Sequence, residues 1–487
     1  MPVNTQHKDY ERNLKKWELV RDVVEGAQAV KSRTGSGSAT GAGASLYTME
    51  GTRYLPPPNP EDNTLENRNR YIAYRLRANF VNFTGNTKDG MLGMVFRKDM
   101  QSELPVQLEY MNKNATGGGL SLEQLARMAA GDTLDAGRFG VLVDYPDAPE
   151  GLTQAEVSAL NLQASLLPYP SESIINWQCE VIAGVKYLTK VVLMETAKDY
   201  SDEFTYDEKK QYRVLRLTDG IYTQTIYDED DNQVGDIVEP RKADGSMWNM
   251  IPFCFFGAEN NDEQIDKAPL YDIAEVNISH YRNSADYEES SYMVGQPTPV
   301  IAGLTQSWVD EVMKDGVFLG SRRAILLPEN GSASLLQADS NQMPERGMER
   351  KEAQMVMIGA RLIQDSNGRQ QETAEAAKIR FAGQNSKLGT LVSNVEDGLI
   401  KCVEWAGEFV GGIVSDIVIK LNREFYDATL DPQMVVAQMQ LMDRGVIAKS
   451  DLQDTMRRAG FIDKDRSNED IDGEAESTIM DDMGGDA

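Results

Sequence analysis

The residues that could do chemistry are scattered along this chain. Its two histidines, His7 and His280, are far apart. Its three cysteines, Cys179, Cys254 and Cys402, are widely spaced, so no Cys/His set has the spacing of a zinc site. An odd number of separated thiols also argues against a disulfide framework. No G-x-x-x-x-G-K-[ST] is present, and the glycine-rich stretch Gly35–Ser45 lacks the lysine of a phosphate loop. Neither G-x-S-x-G nor H-E-x-x-H occurs. The acidic turn Asp228–Asn232 lacks the glycine and the distal glutamate of a calcium loop. With 77 acidic residues, carboxylate pairs arise by chance and carry little meaning. The expectation is a protein that is not an enzyme and has no cofactor, catalytic residue or metal.

One polar loop is a different kind of candidate. Gln364, Asp365, Ser366, Asn367, Gly368, Arg369, Gln370 and Gln371 lie between two helical patterns. Such a loop is either a plain connector or a surface that offers Arg369 and several amides to a phosphate backbone without reading bases. Spacing alone leaves both open. The elements around it are a short amphipathic helix from Met348 and a very long one after it. The long helix has a buried stripe of Phe381, Gln384, Leu388, Leu391, Val395, Gly398, Cys402, Trp405 and Phe409, alternately three and four apart. From Thr373 to Phe409 it would span about 55 Å. Gly383, Gly389, Gly398 and Gly407 within it imply close approach by another element or a bend, each glycine costing about 1 kcal/mol against alanine.

The chain has 487 residues, 41% hydrophobic and 26% charged, enough for two to four compact units. No run of eighteen apolar residues suggests a membrane span, and the first twenty residues lack the apolar core of a secretory signal. The net charge of -28 argues against tight binding of nucleic acid by phosphate neutralisation. It is compatible with solubility alone, or with a surface that surrounds DNA and lets it slide.

Helical patterns occupy residues 6–33, with Leu14, Trp17, Val24 and Ala27 near one face, and 63–83, with Leu65, Ile72, Leu76, Phe80 and Phe83 in step. Arg68, Arg70, Arg75 and Arg77 share the second, where an ion-paired or solvated face is the ordinary outcome. Ser121 and Gln124 form a capping box, and Val141–Tyr145 reads as a strand ended by Pro146. From 165 to 257 the pattern is β, with Asp219-Gly220 joining Gln211–Thr218 to Ile221–Tyr227 as a hairpin. A helix over 269–294 aligns Leu270, Ile273, Asn277, Tyr281, Ser284, Glu288 and Tyr292. A helix at Ser307–Lys314, a strand at Ala324–Leu327, a helical pair between Asp431 and Gly460 and an acidic tail without aromatic residues complete the reading.

The ordered set resembles bacteriophage portal proteins, the rings at the capsid vertex through which DNA passes. The segments 135–146 (DAGRFGVLVDYP), 269–301 and 372–407 carry the resemblance. It implies an α+β, predominantly helical portal fold with wing, stem, clip and crown, assembled as a ring, usually a dodecamer. The wing would be 1–267, helical over 1–160 and β-rich over 165–257. The stem helices would be 268–294 and 343–363, with the clip at 295–342 between them. Residues 364–371 would be the tunnel loop, 372–425 the spine helix and wing return, 426–463 the crown and 464–487 a disordered tail. Asp286, Glu288, Glu289 and Arg346 would line the stem channel. Lys314, Arg322 and Arg323 would serve clip docking.

The implied partners are the terminase large subunit during packaging and the head-tail adaptor protein afterwards. Major capsid and scaffolding proteins, and double-stranded DNA passing without sequence specificity, complete the set. No membrane is involved. The implied location is the virion, after assembly in the host bacterial cytoplasm. The competing reading is an acidic intracellular adaptor or scaffold that uses its long helix to bind partners.

Overall fold

Burial of one long amphipathic helix against a small sheet organises the molecule. The structure, a computed structural model, describes residues 2–35, 46–146, 162–200, 203–296, 298–311, 327–336, 342–363, 386–411 and 417–423, and a few isolated positions beyond. The chain divides into two compact units, Met1–Leu421 and Asn422–Ala487. The expected crown and acidic tail fall in the second unit, outside the described residues except for isolated positions. The class is α+β, with 45% helix and 24% strand.

The first described elements are α1 (Lys8–Glu25), α2 (Ala27–Ser32), α3 (Leu65–Arg77), α4 (Phe83–Val95), β1 (Gln101–Glu103) and α5 (Leu122–Ala136). The β-rich part follows as β2 (Arg138–Asp144), β3 (Ser165–Pro170), β4 (Ile174–Ile182), β5 (Val185–Asp199), β6 (Asp207–Thr218), β7 (Ile221–Tyr227), β8 (Gln233–Val238) and β9 (Phe253–Gly257). Then come α6 (Tyr271–Gly295), β10 (Thr298–Ala302), α7 (Gln306–Glu311), β11 (Ser332–Leu336), α8 (Met343–Ile363), α9 (Lys387–Val410) and β12 (Val418–Lys420).

Among the described residues the strands form four antiparallel sheets: β3-β2-β9, β4-β5-β6-β7-β8, β10-β11 and β1-β12. The Asp219-Gly220 turn is as expected: φ is +52° at Asp219 and +76° at Gly220, and Thr218 pairs with Ile221. Two adjacent residues at positive φ match the twist of the flanking strands. Ser121 closes its capping box with Gln124 at the start of α5.

The spine helix α9 lies on the three-stranded sheet. Every described member of its expected stripe is buried: Leu388, Leu391, Val395, Gly398, Cys402, Trp405 and Phe409. A Cβ on Gly398 would stand 2.8 Å from Phe256 Cδ1, so glycine here admits the β9 ring. The close approach is therefore made within one chain. At the helix end Phe409 stacks on Tyr145, with centroids 5.8 Å apart, and lies 4.7 Å from the Trp248 ring.

Three helix readings need correction. The spine does not run unbroken from Thr373. Ser386 is extended (φ -74°, ψ 150°), and its side chain accepts from Gly389 N. The helix therefore starts at Lys387 and is about 36 Å long. The helix expected over 6–33 is broken at Gly26, where φ is +110°. Its buried face is Tyr10, Trp17, Val20 and Val23, while Ala27 is exposed and Leu14 and Val24 are half-buried. The helix expected over 63–83 stops at Arg77, and Asn82 caps a separate α4. Leu65 and Leu76 are 73% and 68% exposed, because Tyr71 and Tyr74 fill the inner face instead.

Candidate functional site

The feature that departs most from an ordinary packed domain is the antiparallel pair α6 and α8. Its register is readable from single contacts. A Cβ on Gly359 would meet Ile273 Cδ1 at 4.0 Å. Lys351 Nζ donates to Ser279 O at 2.8 Å, and His280 Nε2 lies 3.1 Å from Glu352 Oε1. Gly347 sits against the Asn283 amide. Beyond the helices the chain continues in step. β10 pairs with β11 from Thr298↔Leu336 to Ala302↔Ser332. Helix pair and strand pair thus form one long hairpin, with small residues where the helices touch.

The root of the hairpin is held by buried polar groups, which explains the polar positions in its predicted stripe. Asn277 Oδ1 accepts from Thr84 N at 3.2 Å and Thr84 Oγ1 at 3.1 Å, and its amide donates to Val81 O at 2.8 Å. Ser284 Oγ donates to Asn79 O at 2.6 Å. These bonds fix α6 to the turn between α3 and α4. Burial lowers the pKa of Lys351, with Arg282 adding to the effect, and pushes Tyr281 up to about 12.

The predicted channel residues are divided. Asp286 accepts from Tyr74 Oη at 2.7 Å. Glu289 pairs with Arg77 and lies 4.0 Å from Arg70. Arg77 also covers the Tyr292 ring at 4.2 Å. The α3 arginines are therefore used for ion pairing inside the chain, as Arg75 is with Glu50 at 3.2 Å. Glu288 is half-buried, and Arg346 is exposed, with a long 3.4 Å bond to Gln342. Lys314, Arg322, Arg323 and the whole loop Gln364–Gln371 lie outside the described residues, as does nearly all of the strand expected at Ala324–Leu327.

Where its helices pass into its strands the hairpin exposes apolar side chains. Met293 is 56% exposed, Leu335 59%, Leu336 68% and Met343 73%. Among the described residues no group of three or more His, Cys, Asp or Glu is placed to hold a metal ion. Nor, among them, is any helix long and apolar enough to cross a membrane.

Two buried charge clusters were not expected from sequence. Arg21 gathers Asp132, Asp135 (2.7 Å) and Glu172 (2.9 Å), and Lys88 meets Asp135 at 2.6 Å. Three carboxylates share one guanidinium there, and burial lifts Asp132 to about 6 despite the Arg21 contact. Arg138 is stranger. Its guanidinium lies between the Trp177 ring (3.8 Å) and the Phe255 ring (4.2 Å), and its three nitrogens have no hydrogen-bond partner among the described residues. Burial lowers it to about 9. A lone arginine beginning an apolar strand was the only sequence signal for this stack.

A family model described as a domain of unknown function (DUF4055) matches residues 269–410, the stretch that holds the hairpin and the spine. No curated protein matches the chain. The fold is similar to a chain of the virion of a native gene transfer agent particle, at 14% identity and a TM-score of 0.39. That match covers 78% of this chain and 89% of the other. It is also similar to a chain in the neck of an empty gene transfer agent particle, computed with C6 symmetry, at 14% identity and a TM-score of 0.40, covering 75% and 86%. A third likeness is to the neck of the native particle computed with C12 symmetry, at 14% identity and a TM-score of 0.39, covering 77% and 89%. At this degree of overlap the likenesses carry no functional argument.

Proposed function

We propose that this chain is the subunit of a phage-type portal, a ring of identical copies around a DNA channel at the capsid vertex. The observation that carries the reading is the hairpin itself. Two antiparallel helices continue in register into two antiparallel strands, and they leave a root bonded to α3 and α4. The spine α9 follows them in sequence and is buried in the core. Helix, strand pair, helix and spine follow one another in the order that the resemblance gives to stem, clip, stem and spine, which supports the reading. Apolar side chains exposed where the helices pass into the strands call for cover by other polypeptide.

On this reading the protein positions and does not catalyse. Packaging motor and adaptor dock at the strand pair, and the capsid shell meets the wing. DNA passes without base readout. The acidic balance keeps DNA from adhering to the wall. Asp286 and Glu289 are committed to Tyr74 and Arg77, so Glu288 and Arg346 are the side chains of the predicted set left to face it.

The test is the state of assembly. Purified full-length chain should scatter light as a large particle, and micrographs should show closed rings. A monomer or dimer would reject the portal and favour the adaptor reading. Turnover of any substrate by the purified ring would reject a purely structural role.

A further inference from the structure

Two of the three thiols meet in the core. Cys254 lies on β9 and Cys402 on α9, and both are free and buried. The way the helix lies on the strand brings them together. On α9, Asn394, Gly398 and Cys402 are four apart and share one face. On β9, Cys254 and Phe256 point to the same side of the sheet. Asn394 Nδ2 donates to Gly257 O at 2.9 Å, and one turn further on Gly398 admits the Phe256 ring. A helical turn advances about 5.4 Å and two strand residues about 6.8 Å. The next turn therefore sets Cys402 against Cys254. The same run continues beyond them, where Ala243 N donates to Glu408 O at 3.0 Å and Phe409 meets the Trp248 ring. Each thiol is the other's hydrogen-bond partner.

The two sulfurs are unequal. The bond from Cys402 holds the Cys254 thiol below its ordinary range, with the Lys401 charge adding to the effect and burial opposing it. Burial raises Cys402 well above that range, and its bond to Cys254 adds to the rise. Cys254 is thus the sulfur that ionises and attacks first, and Cys402 the one that resolves. Gly398 serves the pair as well as the ring. By admitting Phe256 it lets the α9 backbone come close to β9 one turn before Cys402. Close approach is what a disulfide needs, with Cα atoms about 4.4–6.8 Å apart. A small apolar side chain would fill either place, so what the two sulfurs add is reactivity.

We propose that Cys254 and Cys402 are a latent cross-link, closed by a peroxide to an intrachain disulfide that locks α9 onto β9. The Cys254 thiolate attacks one peroxide oxygen. The O–O bond breaks, and the hydroxide that leaves takes up the proton lost by the thiol, giving water. The Cys402 sulfur then attacks the sulfenic acid on Cys254. The S–S bond forms, the S–O bond breaks, and the hydroxyl leaves with the Cys402 proton as a second water. The thiols give up two electrons and the peroxide takes them. Reducing surroundings keep the site open and oxidising ones close it. Both thiols belong to one chain, so the lock is independent of the portal reading.

The test is treatment of the folded full-length chain with hydrogen peroxide, read by intact mass and by a peptide map without reductant. The expected product is lighter by about 2 Da and joins the Cys254 peptide to the Cys402 peptide. The link closes a loop of about 150 residues, and it should raise the melting temperature by about 5 °C until reductant is added. Cys179→Ser should keep both the link and the shift. Cys402→Ala should lose both and leave a sulfenic acid on Cys254 that dimedone captures. The wild-type map decides even where that variant does not fold. Links from Cys254 or Cys402 to Cys179 or to another copy overturn the proposal. So do thiols that stay free after peroxide, and so does a linked chain that melts no higher than the reduced one.

Discussion

The spine helix and the far half of the α6–α8 hairpin are both long amphipathic structures, yet only one is complete in a single chain. The α9 stripe from Leu388 to Phe409 is buried throughout, with a glycine placed to admit the Phe256 ring. The hairpin is fastened at its root, by Asn277 and Ser284, but exposes Leu335, Leu336 and Met343 where its helices give way to strands. Apolar surface removed from water contributes roughly 25 cal/mol per Å². The first region collects that stabilisation on folding. The second leaves it unused in the single chain, and on the portal reading it is the part available for contact with other polypeptide.

The sharpest way to break the contrast is Gly398→Leu. The new side chain would enter the Phe256 ring, and overpacking of this kind should cost about 3 kcal/mol. It should be read as a lowered melting temperature even in unassembled chain. An unchanged melt would mean that the spine is not seated as described.

The next largest effect concerns the buried charges behind the spine. Asp132 is raised to about 6 by burial, above its ordinary 3.8. The folded chain therefore binds a proton that the unfolded chain does not between those values. Its folded form gains stability as pH falls from 7 towards 5, and loses it as pH rises through 6. Wild type should gain roughly 1 kcal/mol relative to Asp132→Asn over that interval, because one pKa unit corresponds to about 1.4 kcal/mol. A pH series of urea melts would reveal an opposite slope.

Ser386→Ala should cost about 1 kcal/mol through the lost cap at Gly389. A null result would revive a spine continuing back towards Thr373. The smallest effect on the single chain belongs to the outward apolar residues. Leu335→Asp with Leu336→Asp should shift subunit stability by less than about 0.5 kcal/mol, yet reduce the assembled fraction by sedimentation. Loss of fold in that variant would erase the distinction between the two regions.

Legibility in the sequence followed the strength of the local signal. The Asp219-Gly220 hairpin, the Ser121 box and the α9 stripe were readable because turn chemistry, capping and periodicity act over a few residues. The α1 face came out displaced, since Leu14 and Val24 are as apolar as Val20 and Val23, and only tertiary contact with α5 and α6 selects the latter pair. The α4 helix was missed because the pattern reads as one helix through Asn82, whose side chain instead caps a new helix at Gly85 N, 2.8 Å away. Pairing of β10 with β11 was invisible because register between distant strands is set by what brings them together. At the site, Asp286 and Glu289 could be placed on the helix from sequence, but their partners Tyr74 and Arg77 on α3 could not. The Arg138 stack depends on three segments brought together only by the fold.

The hairpin has a consequence for how this molecule can vary in length. Helix α6 meets α8 at Ile273/Gly359, Ser279/Lys351, His280/Glu352 and Asn283/Gly347, and β10 pairs with β11 beyond them. An insertion on one side alone would leave every later rung out of phase and turn Gly347 and Gly359 away from the neighbours they accommodate. Growth or shortening must come in matched steps on both sides, close to a full helical turn at a time. Descendants of this chain should therefore differ in reach by discrete increments of about 5 Å.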